Sequence, residues 1–202
     1  MIKITLHPSI IILLLIGLFG GFLNELLIFL LITFLHEAGH LFTAKIFKVK
    51  CHKITLTLIG GFIELEDYSS LNLFSKILIN ISGIIVNLLI FLFINVININ
   101  FLDNNIISWY NILMIIFNLL PVAPLDGYKI LKNLLEIIFE EEYLNDCLFY
   151  LSLIILTIIS IILFITKLYG YYVIISFLFI KTIKEKNSKN ILLKQYSMFT
   201  KL

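Results

Sequence analysis

Long runs of Ile, Leu, Phe and Val dominate the chain, broken by short polar, glycine-bearing or proline-bearing segments. A helix that crosses a bilayer needs about 20 largely apolar residues. Six candidate runs emerge: residues 7–23, 26–46, 73–99, 106–127, 147–166 and 169–183. The turn between the fifth and sixth, around Lys167 to Gly170, is short, so those two helices are expected to be antiparallel neighbours. Between the second and third runs the period changes. Ile54-Thr55-Leu56-Thr57-Leu58 and Phe62-Ile63-Glu64-Leu65-Glu66 each alternate apolar with polar, on either side of Ile59-Gly60-Gly61. Period-two alternation around a glycine pair predicts a β-hairpin over about residues 53–66. A lone hairpin is marginal in water and needs support from the bundle or the membrane surface. The same alternation also fits an amphipathic connector. As a hairpin it offers an edge to which an extended peptide can add.

Composition agrees with a membrane bundle. The 202 residues are 60% hydrophobic and 14% charged, with a mean hydropathy of +1.06. Soluble domains run about 45–50% apolar and about 25% charged. A chain this short cannot hide so much apolar surface in a water-soluble core. The net charge of +2 says less than its distribution, because every basic residue is a lysine. With six spans, all of the 15 lysines except Lys167 fall on one side of the membrane. Positively charged loops face the cytoplasm, which places both termini and the 47–72 and 128–146 segments there. The expected fold is an all-α polytopic membrane protein of about six transmembrane helices, with a small cytoplasmic-side β-hairpin between the second and third. Residues 1–183 form the membrane domain and 184–202 a short basic tail. The apolar stretch at residues 10–23 has no small-residue cleavage site after it and is read as a retained span. Cys51 and Cys147 give no disulfide framework. The tail lysines alternate with polar residues and there is no aromatic-rich basic face, so the partner is the lipid bilayer and not nucleic acid.

In so apolar a chain, ionisable groups at membrane depth need a reason. The sharpest cluster is His36-Glu37-Ala38-Gly39-His40 in the second run. Histidines four apart share a helical face, so both imidazoles can reach one metal ion, and the intervening Glu can take a proton from bound water. Two histidines packed as polar helix contacts are the simpler reading, but burying three ionisable groups without a metal is costly. Catalytic zinc usually takes three protein ligands. His7 and His52 are available in terminal or surface segments. Asp126 is better placed, within the segment from Asn118 to Gly127, where Pro121 and Pro124 break the helix. Irregular backbone at membrane depth is tolerated where it is buried in protein or lines a cavity. Asp126 also fits a solvated acid at a helix end. A metal transporter or metal-sensing membrane protein without peptidase activity is the rival reading. Transport favours polar residues through both membrane halves, whereas the outer halves of runs three to six are almost wholly apolar.

The pairing of His36-Glu37-Ala38-Gly39-His40 with the Asn118–Gly127 segment resembles the site-2 protease family of intramembrane zinc metalloproteases, and within it the bacterial sporulation branch. His7-Pro8, Gly60-Gly61-Phe62-Ile63-Glu64, Ser82-Gly83 with Asn87, and residues 191–199 add to the likeness. The resemblance implies one zinc per chain held by His36, His40 and Asp126, with Glu37 activating water. It implies that Asn118 and Pro124 shape the substrate-binding region and that the Gly60, Gly61 and Phe62 hairpin holds an extended substrate. The implied activity is regulated intramembrane proteolysis of a membrane-associated precursor such as a pro-sigma factor. An inhibitory membrane protein as partner and a bacterial inner or forespore membrane location come with it. The chain departs from that branch in two respects. No nucleotide-sensing CBS domain and no PDZ insertion are expected, and the small-Gly-Pro run appears as Ser82-Gly83-Ile84.

Overall fold

In the computed structural model, residues 3–6, 9–57, 60–65, 68–96 and 103–199 are described, and they fall into two units, residues 1–118 and 119–202. The first unit contains β1 (Lys3–Leu6), α1 (Ser9–Gly20), α2 (Leu23–Ile46), β2 (Cys51–Thr57), β3 (Gly60–Leu65) and α3 (Leu73–Val96), and nearly all of α4 (Asn104–Leu119). The second contains α5 (Asp126–Leu135), α6 (Glu141–Ile165) and α7 (Tyr172–Phe199). Side-chain caps start two of the helices. Asn72 Oδ1 accepts the Ser75 N–H at 2.8 Å before α3, and Asp103 Oδ1 accepts the N–H groups of Asn105 and Ile106 before α4.

The alternating segment forms strands, as its period predicts. β2 pairs antiparallel with β3, with Ile54 opposite Ile63 and Thr55 opposite Phe62. Two details differ from expectation. The pairing begins at Cys51, and Gly60 and Gly61 lie inside β3 opposite Thr57 and Leu56, so they are strand residues and not the turn. Residues 58 and 59 lie outside the described residues. A third strand, β1, was not expected. It pairs in parallel with the other edge of β2, Lys3 to Lys53 through Leu6 to Leu56. Both paired segments read Lys-Ile-Thr-Leu, so like residues sit opposite like along the ladder.

Six spans were expected, and helix length alone supports fewer. Among the described residues, three helices are long and apolar enough to cross a membrane: Leu23–Ile46, Leu73–Val96 and Tyr143–Ile165. α1 has 12 residues and α4 has 16. At about 1.5 Å per residue these fall short of a hydrocarbon core about 30 Å thick. α1 stops at Gly20, where Gly21 takes a φ of 77°, and α4 stops at Leu119 before Pro121. Counting apolar residues had carried both runs through their breakers. α7 runs as one helix through position 184, with Lys184, Glu185 and Lys186 near its middle.

α2 and α3 pack antiparallel, with His36 beside Gly83 and His40 beside Ile79. Their closeness depends on Gly39, where a methyl group would meet Val86 Cγ2 at 2.8 Å and the Ser82 carbonyl oxygen at 3.0 Å. Ile32, Ile94, Ile107 and Met114 close the apolar core beside this seam. The outward residues of α2, α3 and α6, such as Phe34, Phe42, Leu89, Phe93, Ile158 and Phe164, are large, apolar and exposed. Such faces suit lipid and not water. The chain is an integral membrane protein.

Candidate metal centre

The centre is built on the buried face of α2. Spacing of 3.6 residues per turn stacks His36 and His40, and both are buried, at 2% and 8% exposure, with Glu37 beside them at 9%. The two Nε2 atoms are 3.2 Å apart, and the rings meet edge-on at 81°. Two nitrogens bound tetrahedrally to zinc, each about 2.0–2.1 Å from it, stand about 3.3 Å apart. The observed separation matches that geometry.

A hydrogen bond on the far side of the ring fixes the donor chemistry. His40 Nδ1 lies 2.7 Å from the Ile79 carbonyl oxygen, and a carbonyl can only accept. Nδ1 therefore carries the proton, and in the neutral ring Nε2 keeps its lone pair, turned towards His36. Support of this kind is what a metal-binding imidazole needs from its surroundings. Ser82 Oγ donates to the same Ile79 carbonyl at 2.7 Å and stands 3.4 Å from His40 Nδ1. Gly83 leaves the room for both rings. A methyl group there would stand 2.7 Å from His36 Nε2 and nearer still to His40 Nε2. The histidine pair fits a divalent ion of zinc's preferences.

At the end of α4, Asn118 is buried and its Nδ2 donates to the Met114 carbonyl at 3.0 Å, back along its own helix. In the second unit, the backbone after Leu119 turns irregular and Asp126 opens α5. Asp126 is buried at 5% exposure, and its Oδ1 accepts from Lys129 Nζ at 3.2 Å. A carboxylate in the first turn of a helix also faces the positive end of the dipole. Gly127 is required for the turn: a methyl group there would lie 2.5 Å from the Leu119 carbonyl carbon. Tyr128 packs with Ala123, Leu144 and Leu148. Burial first, then the nearby charge of Glu185, pushes its phenol up to about 12, so the ring stays neutral. Pro124 is half-buried in this segment, in a cis peptide with Ala123.

Of the other residues singled out in the sequence, Gly60 and Gly61 lie in β3. The side chains of Phe62 and His52, and the whole of His7, lie outside the described residues. The sequence reading missed the Ile79 carbonyl and the Ser82 hydroxyl as supports of His40. Ser82 carried a weak signal, being a small polar residue next to Gly83 in an apolar run.

Comparison with known proteins shows the family of the chain. Residues 24–103 and 100–163 match the family described as Peptidase family M50. Over 134 residues the chain is 31% identical to stage IV sporulation protein FB of Bacillus subtilis, covering 64% of this chain and 46% of that protein. Over 110 residues it is 33% identical to a zinc metalloprotease of Methanocaldococcus jannaschii, covering 50% of this chain and 31% of the relative. The chain thus spans less than half the length of these curated relatives. Among solved structures, the site-2 protease from Methanocaldococcus jannaschii has the same fold, with a TM-score of 0.72 at 24% identity, covering 91% of this chain and 90% of that one.

Proposed function

This chain belongs to peptidase family M50, and from that premise we propose that it is an intramembrane zinc metallopeptidase that cleaves a membrane-associated protein precursor. The observation that carries the proposal is the His36–His40 pair, with Nε2 atoms 3.2 Å apart and Glu37 between them in sequence. Asp126, a buried carboxylate beside a helix-breaking segment, supplies the third ligand in this reading. Zinc, if held by these residues, would supply Lewis acidity for a scissile carbonyl and a bound water of pKa about 7.

The residues of the chain do the rest. Glu37 takes the proton from water as it attacks and returns it to the departing amine. Ile79 and Ser82 hold the His40 ring so that Nε2 faces the reaction. Asn118 and Pro124 line the approach of the substrate. The outer edge of β3, from Gly60 to Phe62, receives an extended peptide by strand addition. Strand addition favours an unwound substrate, since a helical amide has its carbonyl occupied and shielded. A likeness to a sporulation protein supports a regulatory substrate such as a pro-sigma factor, with an inhibitory membrane protein as partner. The lysine-rich segment from Lys45 to Lys53 and the lysines of α7 face the cytoplasm.

The test is to incubate purified protein with membrane-tethered precursors, wild type against Glu37→Gln, and to map products by mass spectrometry. Wild type is expected to cut one peptide bond near the membrane and Glu37→Gln to cut none. Cleavage by Glu37→Gln at a comparable rate would remove Glu37 from the mechanism.

A further inference from the structure

The segment between α4 and α5 has no helix or sheet to satisfy its backbone, yet it is buried. Val122 is 0% and Ala123 is 3% exposed. Buried backbone groups in such a place need partners from elsewhere in the protein. Ala123 finds both of its partners in side chains. Its N–H donates to Ser152 Oγ of α6 at 3.3 Å, and its carbonyl accepts from Thr182 Oγ1 of α7 at 2.8 Å. Ser152 and Thr182 are themselves 0% and 1% exposed.

The two hydroxyls behave differently. Ser152 gives its proton to the Leu148 carbonyl at 2.8 Å, the usual back-bond of a serine in a helix, and accepts from Ala123 with a lone pair. Thr182 sends its proton out of its own helix, to a residue 59 positions away. Each lies in a largely apolar run that carries other polar side chains, Thr157 and Ser160 beside Ser152 in α6 and Ser176 and Lys181 beside Thr182 in α7, but Ser152 and Thr182 are the two that reach Ala123. Close contact of Gly127 with the Leu119 and Leu120 carbonyls holds the other end of the segment. Between these two fixed points lies Asp126, three residues after Ala123.

We propose that Ser152 and Thr182 are positioning residues: by clasping both backbone groups of Ala123, they hold the segment that presents Asp126 for metal binding. The proposal rests on the reading of Asp126 as a metal ligand. It makes α6 and α7 part of the working site although neither contributes a ligand. It also gives a physical reason for a threonine at position 182, since valine has the same shape and lacks only the hydroxyl.

The experiment compares full-length wild type, Thr182→Val, Thr182→Ser and Ser152→Ala with two readouts. The first is backbone hydrogen exchange over residues 119–127 in metal-free protein, and the second is the rate of zinc release to a chelator from loaded protein. Losing one buried hydrogen bond is expected to speed exchange in that segment about tenfold in Thr182→Val, with α6 and α7 unchanged. Zinc release is expected to quicken by a similar factor, and Thr182→Ser is expected to restore both. Wild-type exchange in Thr182→Val, or faster exchange spread evenly along α6 and α7, would overturn the clasp. If Thr182→Val does not fold, Ser152→Ala reports on the other half of the clasp with α7 intact. Its exchange over 119–127 is then expected to rise, and a wild-type pattern would overturn the proposal. Selective loosening of 119–127 with unchanged zinc release would keep the clasp and instead remove Asp126 from the ligand set.

Discussion

Gly83 shows how much of the centre depends on a single missing side chain. It lies on α3, opposite both imidazoles, and a methyl group would occupy the space within 2.7 Å of His36 Cε1 and Nε2. The neighbours are rings fixed by packing and, in His40, by the bond to Ile79, so they have little freedom to move aside. Gly83→Ala is therefore expected to weaken zinc binding by about tenfold or more, the range seen when the supports of metal ligands are disturbed. Competition with a chelator measures it, and wild-type affinity would mean that the rings relax freely. At this scale the sequence was informative where chemistry is local. His36, Glu37 and His40 were legible because a spacing of four on a helix fixes a shared face. The Ile79 carbonyl and Ser82 were not, because they reach His40 from 39 and 42 residues away. Ser152 and Thr182 were hidden for the same reason.

At the scale of elements, period was a good guide and length a poor one. Alternation announced β2 and β3, but the glycine pair suggested a turn where the chain continues as strand. The parallel strand β1 was within reach, since Lys-Ile-Thr-Leu occurs at both 3–6 and 53–56, but four residues near a terminus carry too little pattern to announce a strand. Helix length was overread in the first and fourth runs because Gly21 and Pro121 end helices inside runs that stay apolar. The pairing of α2 with α3 makes its own prediction. Gly39→Val adds bulk where the first added carbon already meets Val86 and the Ser82 carbonyl. Overpacking of this kind costs about 1–3 kcal/mol. Thermal unfolding of the metal-free protein in detergent is expected to shift downwards, with Gly39→Ala intermediate. An unchanged transition would show that the two helices separate without loss.

For the whole molecule, composition gave the environment and left the division of labour unstated. A chain 60% hydrophobic had to be a membrane protein, and the exposed apolar faces of α2, α3 and α6 bear that out. Sequence did not reveal that residues 1–118 carry the histidine pair and residues 119–202 carry Asp126 on a segment clasped by α6 and α7. One zinc shared by His36, His40 and Asp126 requires donors from both units, whereas the histidine pair alone requires only the first. The metal content of purified protein separates these cases. Wild type and Glu37→Gln are predicted to hold about one zinc per chain, and Asp126→Ala well under half of that after dialysis against a weak chelator. A full equivalent of zinc retained by Asp126→Ala would contradict the shared centre.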